Sequence, residues 1–126
     1  MTSFLWILQG ALALGFGASA FMKGTWDRER LARSGQTGVQ GLPMPVIRFI
    51  AVVELFGAIG LVVPWATGIA MVLTPLAAVG LAIVMLLAAG VHTILREPRA
   101  IAITVVICAA CLAVACGRGL EIRLLI

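Results

Sequence analysis

Glu54 is the residue whose type and position most strongly suggest chemistry. It is the only charged residue between Phe49 and Val91, in a run dominated by aliphatic residues, glycine and methionine. Placing a carboxylate at the middle of a bilayer costs roughly 2.5–3.5 kcal/mol on insertion scales, so residues of this kind usually serve a function. We therefore predict a ligand or proton site centred on Glu54 inside a membrane protein. The alternative is a purely structural ion pair or hydrogen bond.

Two further ionisable residues are predicted to lie on the same side of the membrane as Glu54. Lys23 follows the first apolar segment and His92 ends the third. Lys23 has a long flexible stem that reaches along a helix, so it is the first predicted partner, with His92 second. Both residues also fit simpler interfacial roles. Arg48 lies about 240° around a helix from Glu54, so we do not expect the two to pair.

The composition requires lipid around much of the chain. The 126 residues are 63% hydrophobic and 11% charged, against about 45–50% apolar and about 25% charged in a typical soluble domain. A spanning helix needs about 20 mostly apolar residues. Four segments meet this requirement, at about residues 3–22, 45–63, 67–93 and 99–117. The predicted fold is all-α, a single membrane domain built as a four-transmembrane-helix bundle.

The connections and interruptions give further expectations. Residues 64–68 are predicted to form a short turn, Pro75 to kink the third helix, and Gly117 to cap the fourth. The long first connection is predicted to hold an interfacial helix at about residues 25–34, or else to be solvated throughout.

Lys and Arg concentrate in the first and third connections, which places these in the cytoplasm and both termini outside. The basic residues fit lipid headgroups, and no pattern of a nucleic-acid binder occurs.

Small residues predict where the helices approach closely. Gly15 in the first helix, with Gly57 and Gly60 in the second, lie on such faces.

Cys108 and Cys111 fall in an apolar run, where cysteine behaves as a small hydrophobic residue, and their C-x-x-C spacing leaves a redox pair as the alternative. With one histidine, a metal site is not expected. Neither a nucleophile–base pair nor a cofactor motif is evident, so we expect no catalysis by the chain alone and no intrinsic cofactor.

Three short motifs occur in order along the chain: Gly15-Phe16-Gly17-Ala18 leading to Lys23, then Glu54, Gly57, Gly60 and Leu61 with Pro64, then Ala88 and His92. This ordered set resembles the DoxX-like family of integral membrane proteins. The resemblance implies a four-helix membrane bundle in a bacterial plasma membrane. It also supports a functional role for Lys23, Glu54 and His92. Some members of the family are associated with quinone-linked sulfur oxidation, and others with membrane oxidoreductase complexes.

Three functions are compatible with these features. The first is an accessory subunit, or a bundle that binds a quinone-like molecule entering from lipid beside Glu54, with electrons supplied by an oxidoreductase partner. The second is a small proton-coupled transporter, because four-helix exporters of similar size also depend on one membrane glutamate. Those exporters carry it in the first helix, beside aromatic residues. The third is a structural or assembly partner, including a homo-oligomer, that has no ligand.

Overall fold

Five helices make up most of the residues that the structure describes. A computed structural model describes residues 2–35, 37 and 40–125. No strand occurs within these residues, and the four long helices are each long and apolar enough to cross a membrane. The all-α prediction of a four-span bundle is therefore confirmed. The helices are α1 (Thr2–Thr25), α2 (Arg28–Arg33), α3 (Met44–Thr67), α4 (Leu73–Ile94) and α5 (Pro98–Leu125).

The four long helices close into a bundle. α1 packs against α3, α3 against α4, α4 against α5, and α5 returns to α1. All four contribute to one apolar core, which includes Phe16, Leu61, Leu81, Cys111 and Val114. Many large apolar side chains on the outer faces are half exposed or more. Such a surface is suited to lipid, because a water-soluble protein rarely exposes apolar patches of this size.

The α3 helix continues through Pro64 to Thr67, so the turn predicted at residues 64–68 begins too early. A proline inside a helix removes the N–H that would bond to the carbonyl four residues earlier. That carbonyl is the one of Gly60, and it accepts a hydrogen bond from the Thr74 hydroxyl of α4 at 2.9 Å. The helix therefore survives the proline because a neighbouring helix satisfies the freed acceptor. It ends at Gly68, whose φ of 72° caps it in the left-handed region.

Two other predictions about helix interruptions were wrong. α4 begins at Leu73, so Pro75 lies in its first turn, where a backbone N–H has no intrahelical partner and a proline causes no kink. α5 does not end at Gly117 but continues to Leu125. Gly117 is buried, and a Cβ added there would lie 2.8 Å from the Leu5 side chain. This glycine serves the close approach of α1 and α5.

The first connection contains a short helix docked on the end of the bundle. Asp27 caps α2 by accepting a hydrogen bond from the backbone N–H of Arg30 at 2.8 Å. Leu31 is fully buried against Ile47, and the Arg30 guanidinium lies 4.1 Å from the centre of the Trp26 ring. A helix therefore exists within the predicted range of residues 25–34, but it is shorter, and its place at the membrane interface remains a prediction. A fully solvated connection does not fit the burial of Leu31.

Glycines set the spacing of α3 and α4. A Cβ added to Gly57 would lie 2.6 Å from Leu81, and one added to Gly60 would lie 2.8 Å from the Ala77 Cβ. Both glycines therefore lie at a close helix contact, as predicted. Gly15 does not lie at a close helix contact, contrary to the prediction, because a Cβ added there would meet nothing within 4 Å. Gly15 borders a cavity and does not touch a neighbouring helix through its Cα face.

We expect Gly60→Ala to weaken the α3–α4 contact. Its new methyl group would meet the Ala77 Cβ, which cannot rotate away, so the helices must separate at a cost of about 1–3 kcal/mol. The matched control is Gly80→Ala, because an added Cβ there meets nothing within 4 Å. Unfolding in mixed micelles, followed by tryptophan fluorescence, measures both variants. Equal stabilities of the two would contradict this packing account.

Candidate functional site

An ion pair between α1 and α3 forms the centre of the site. Nζ of Lys23 donates a hydrogen bond to Oε1 of Glu54 at 2.7 Å. The Glu54 side chain is fully buried and that of Lys23 is 9% exposed. The structure thus shows the pairing that was predicted first. In a medium with little water, two opposite charges in contact are far less costly than either charge alone.

Arg48 holds the end of α1 from which Lys23 projects. Its Nη1 donates to the carbonyl oxygens of Lys23 at 2.6 Å and of Trp26 at 3.0 Å. The last carbonyls of a helix have no intrahelical partner, and a cation there also opposes the negative end of the helix dipole. Arg48 therefore fixes α1 against the start of α3. It pairs with backbone and not with Glu54, in agreement with the angular argument from the sequence.

A cavity of about 740 Å³ lies beside the ion pair. All four long helices contribute to its wall, which is mainly apolar, and its polar lining comes chiefly from Ser19, Lys23, Glu54, His92 and Thr104. This size and composition are typical of small-molecule sites. Because Glu54 is fully buried, its carboxylate lies in the wall behind other atoms. A molecule in the cavity would meet Lys23 and His92 before it reached Glu54.

The second carboxylate oxygen of Glu54 has unused hydrogen-bonding capacity. Oε2 is buried and has no hydrogen-bond partner among the residues that the structure describes. A buried acceptor left unpaired costs about 1–3 kcal/mol, and more when it is charged. Glu54 is therefore arranged to accept one further hydrogen bond in the cavity wall.

His92 lines the same cavity but pairs with Glu97. Its Nδ1 lies 2.9 Å from Oε1 of Glu97. The Thr37 hydroxyl lies 3.0 Å from each oxygen of the Glu97 carboxylate and donates to it. The structure brings His92 to the predicted site, but it gives this residue a partner other than Glu54. Glu97 was missed because it lies in a connection and matches no motif.

The pKa of Glu97 lies below its usual value of 4.5, mainly because His92 donates a hydrogen bond to the carboxylate and secondarily because Thr37 does so. Glu97 is therefore ionised at neutral pH. A lowered pKa in the folded state means that the contacts of Glu97 stabilise the fold above pH 4.5. That contribution is lost as the pH falls through the folded pKa.

Arg118 forms a second polar cluster at the opposite end of the bundle. It is fully buried, and it donates from Nε to Oε1 of Gln9 at 2.6 Å and from Nη1 to Oε2 of Glu121 at 2.7 Å. Its guanidinium lies 4.5 Å from the centre of the Trp65 ring and 5.2 Å from that of Trp6. These contacts compensate a charge that would otherwise be costly to bury.

The Arg118 cluster ties three helices together. Gln9 of α1 accepts from Arg118 of α5 and donates through its amide to the Leu61 carbonyl of α3. The sequence contains a signal for this cluster, since Gln9 is the one amide within the first apolar segment. A residue of this kind in a membrane helix usually finds a partner on another helix. Its partner is not evident from the sequence because the contact spans almost the whole chain.

Two of the cysteines lie in the apolar core. Cys108 and Cys111 are buried free thiols, and the Cys108 Sγ lies 3.6 Å from the Ala82 carbonyl oxygen. Within residues 2–35, 37 and 40–125, His, Cys, Asp and Glu side chains form no group of three or more that could hold a metal ion.

Fold and site together define a class: a four-span helical bundle with a buried Lys–Glu pair beside an apolar cavity. The chain belongs to the DoxX-like family, whose model matches residues 7–114. That range holds Lys23, Glu54, His92 and Glu97, so the whole cavity-side site falls inside the family match. The protein is accordingly a DoxX-like membrane protein. Comparisons with curated proteins and with solved structures found no significant match.

A double-mutant cycle tests the energetic coupling of Lys23 and Glu54. Lys23→Met or Glu54→Leu alone leaves one buried charge unpaired, and each should destabilise the fold by about 3–5 kcal/mol. The double variant removes both charges, so it should lose much less than the sum of the single effects. Chemical unfolding in mixed micelles measures the four proteins. Additive losses would show that the two side chains do not stabilise each other.

We expect Arg118→Lys to destabilise the protein by about 2–4 kcal/mol. Lysine keeps the charge but cannot bond to Gln9 and Glu121 with one planar group while it contacts both tryptophan rings. Arg123→Lys is the control, because Arg123 is exposed near the end of α5. Thermal unfolding in detergent compares the variants, and a wild-type midpoint for Arg118→Lys would argue against the cluster.

Proposed function

We propose that this DoxX-like protein binds a small amphipathic, quinone-like molecule in the cavity beside Glu54 and serves a membrane redox process as an accessory subunit. The observation that carries the proposal is the apolar cavity of about 740 Å³ with a buried ion pair in its wall. Apolar pockets with a few placed polar groups are the usual form of small-molecule sites. A molecule with a polar ring and an apolar tail matches this division.

The polar part of the wall offers both donors and acceptors. An ammonium group has three N–H donors, and Glu54 takes one of those of Lys23. A ligand carbonyl would accept from Lys23. A ligand hydroxyl would donate to Oε2 of Glu54, which has no partner among the described residues, after a small movement of the side chains that cover it. The apolar wall would hold the ring and the tail.

Entry from the lipid phase is supported by the outer part of the wall. Phe49, Leu87 and Ile103 line the cavity, and each is more than half exposed. An amphipathic molecule dissolved in the bilayer would therefore reach the cavity without crossing water. This chain would bind the molecule and exchange protons with it, and electrons would come from an oxidoreductase partner.

The expected location is a bacterial plasma membrane with both termini outside. Lys23, Arg48, Arg96 and Arg99 lie near the helix ends opposite the termini. An excess of Lys and Arg favours the cytoplasmic side, which supports this orientation.

Filling part of the cavity should weaken binding. We expect Gly15→Phe to raise the Kd for decylubiquinone by about tenfold or more, because Gly15 lines the cavity and its side chain would project into free space. Gly10→Phe is the matched control on the same helix, because it also meets nothing within 4 Å but does not line the cavity. Glu54→Gln should weaken binding while leaving the cavity volume unchanged.

Titration of decylubiquinone into nanodiscs measures these affinities, with protein-free nanodiscs as the correction for partition into lipid. Wild-type binding no greater than this partition would contradict the proposal, and so would equal affinities for the wild type and Gly15→Phe. Substrate-driven proton movement in proteoliposomes, lost in Glu54→Gln, would assign transport instead. A Glu54→Ala protein that assembles and functions normally would assign a structural role.

A further inference from the structure

Glu97 joins the cavity to the aqueous end of the bundle through His92. The His92 side chain lines the cavity and is 11% exposed, whereas the Glu97 side chain lies in the α4–α5 connection and is 32% exposed. The Nδ1–Oε1 distance of 2.9 Å is a direct hydrogen bond. Glu97 therefore contacts a cavity residue on one side and reaches solvent on the other.

The hydrogen bonds around Glu97 fix the tautomer of His92. An ionised carboxylate only accepts hydrogen bonds, so the proton of the neutral imidazole must be on Nδ1. The other ring nitrogen, Nε2, is then an acceptor. The Thr37 hydroxyl donates to both oxygens of Glu97 and so orients the carboxylate toward the ring.

The backbone conformation of Arg96 brings Glu97 into contact with His92. Arg96 has a φ of 58°, in the left-handed region that a residue with a side chain rarely adopts. This turn allows the Glu97 N–H to donate to the His92 carbonyl at 3.0 Å, so the two residues are linked through both backbone and side chain. This arrangement is a common helix C-cap, and here it brings Glu97 back beside His92.

We propose that His92 and Glu97 form a proton route from the cavity to water, and that the cavity takes ligands bearing a weakly acidic hydroxyl, such as a phenol or a quinol. This inference rests on the proposed function and adds to it the exit path of the proton. His92 is the residue that receives the proton of the acidic hydroxyl, while Lys23 and Glu54 contact the other polar group of the ligand. Glu97 acts through His92, and Thr37 is a positioning residue.

The proton step balances without any redox group. The ligand O–H bond breaks and an N–H bond forms at Nε2, which leaves a ligand oxyanion and an imidazolium. The Nδ1–H bond to Glu97 then joins two opposite charges, which stabilises the imidazolium. While the oxyanion stays bound, its charge holds His92 as the imidazolium. When the oxyanion leaves, the Nδ1 proton passes to Glu97 and from Glu97 to water, and proton exchange with water then restores the Nδ1–H tautomer. Lys23 and Glu54, which also line the cavity, form a neutral pair and leave the charge on His92 to be balanced by Glu97.

The single histidine makes the route directly observable. Full-length protein labelled with ¹⁵N-histidine in nanodiscs reports the tautomer and the charge of His92 alone. The probe is para-nitrophenol carrying a decyl chain, because its absorbance shows whether the hydroxyl has lost its proton. The variants are Glu97→Gln and Thr37→Val, with Glu29→Gln as the control for loss of an exposed carboxylate on α2.

Without the probe, the Nδ1 nitrogen of wild-type His92 should carry the proton that bonds to Glu97. With the probe bound, it should be an imidazolium beside a nitrophenolate. Glu97→Gln should lower the ratio of bound nitrophenolate to nitrophenol by about tenfold, the effect of one pKa unit. Thr37→Val should lower it less, Glu97→Asp should restore part of it, and Glu29→Gln should leave it unchanged.

Two outcomes would overturn the route. One is an Nε2–H tautomer in the free wild-type protein, and the other is an equal nitrophenolate fraction in wild type and Glu97→Gln. Either result, obtained while decylubiquinone still binds wild type, removes the proton route and leaves the proposed function standing. If neither decylubiquinone nor the nitrophenol binds wild type, both the route and the proposed function fail.

Discussion

Charge neutralisation in a medium without water is the constraint on which this structure depends. Lys23 and Glu54 can remain buried only as a contact pair, because either charge alone would be costly at that depth. The pair ties the end of α1 to α3, and Arg48 secures the same junction by capping α1. The cavity forms beside the pair, so the element that holds the fold together also supplies the polar part of the site.

The same constraint explains the polar contacts far from the cavity. The Gly60 carbonyl that Pro64 leaves without a partner is satisfied by Thr74. Arg118 is held by Gln9, Glu121 and two indole rings at the other end of the bundle. In lipid, backbone and side-chain polar groups must find partners within the protein. Polar contacts therefore connect the helices at both ends of the bundle, and the cavity lies at the end that contains Lys23.

The sequence predicted the four spans, the role of Gly57 and Gly60 and the Lys23–Glu54 pair, because hydropathy, small residues and an isolated charge each have a local signature. It failed where an outcome depends on a distant partner. Pro64 ends a helix unless a neighbouring hydroxyl satisfies the freed carbonyl, and Gly117 is a cap unless another helix approaches it closely. Gln9 was missed for the same reason, since its partner becomes visible only after the helices are packed. Glu97 was missed because it lies in a connection and matches no motif. The functional roles of Lys23, Glu54 and His92 remain predictions.

Native mass spectrometry of the gently solubilised wild-type protein would show directly whether the cavity holds a small molecule, because it detects whatever molecule the cavity retains from the host membrane. We expect a bound molecule of quinone size on the wild-type protein and its loss from Gly15→Phe, whose side chain would occupy part of the cavity. A wild-type protein that carries only phospholipid, in the same amount as Gly15→Phe, would contradict a small-molecule site beside Glu54.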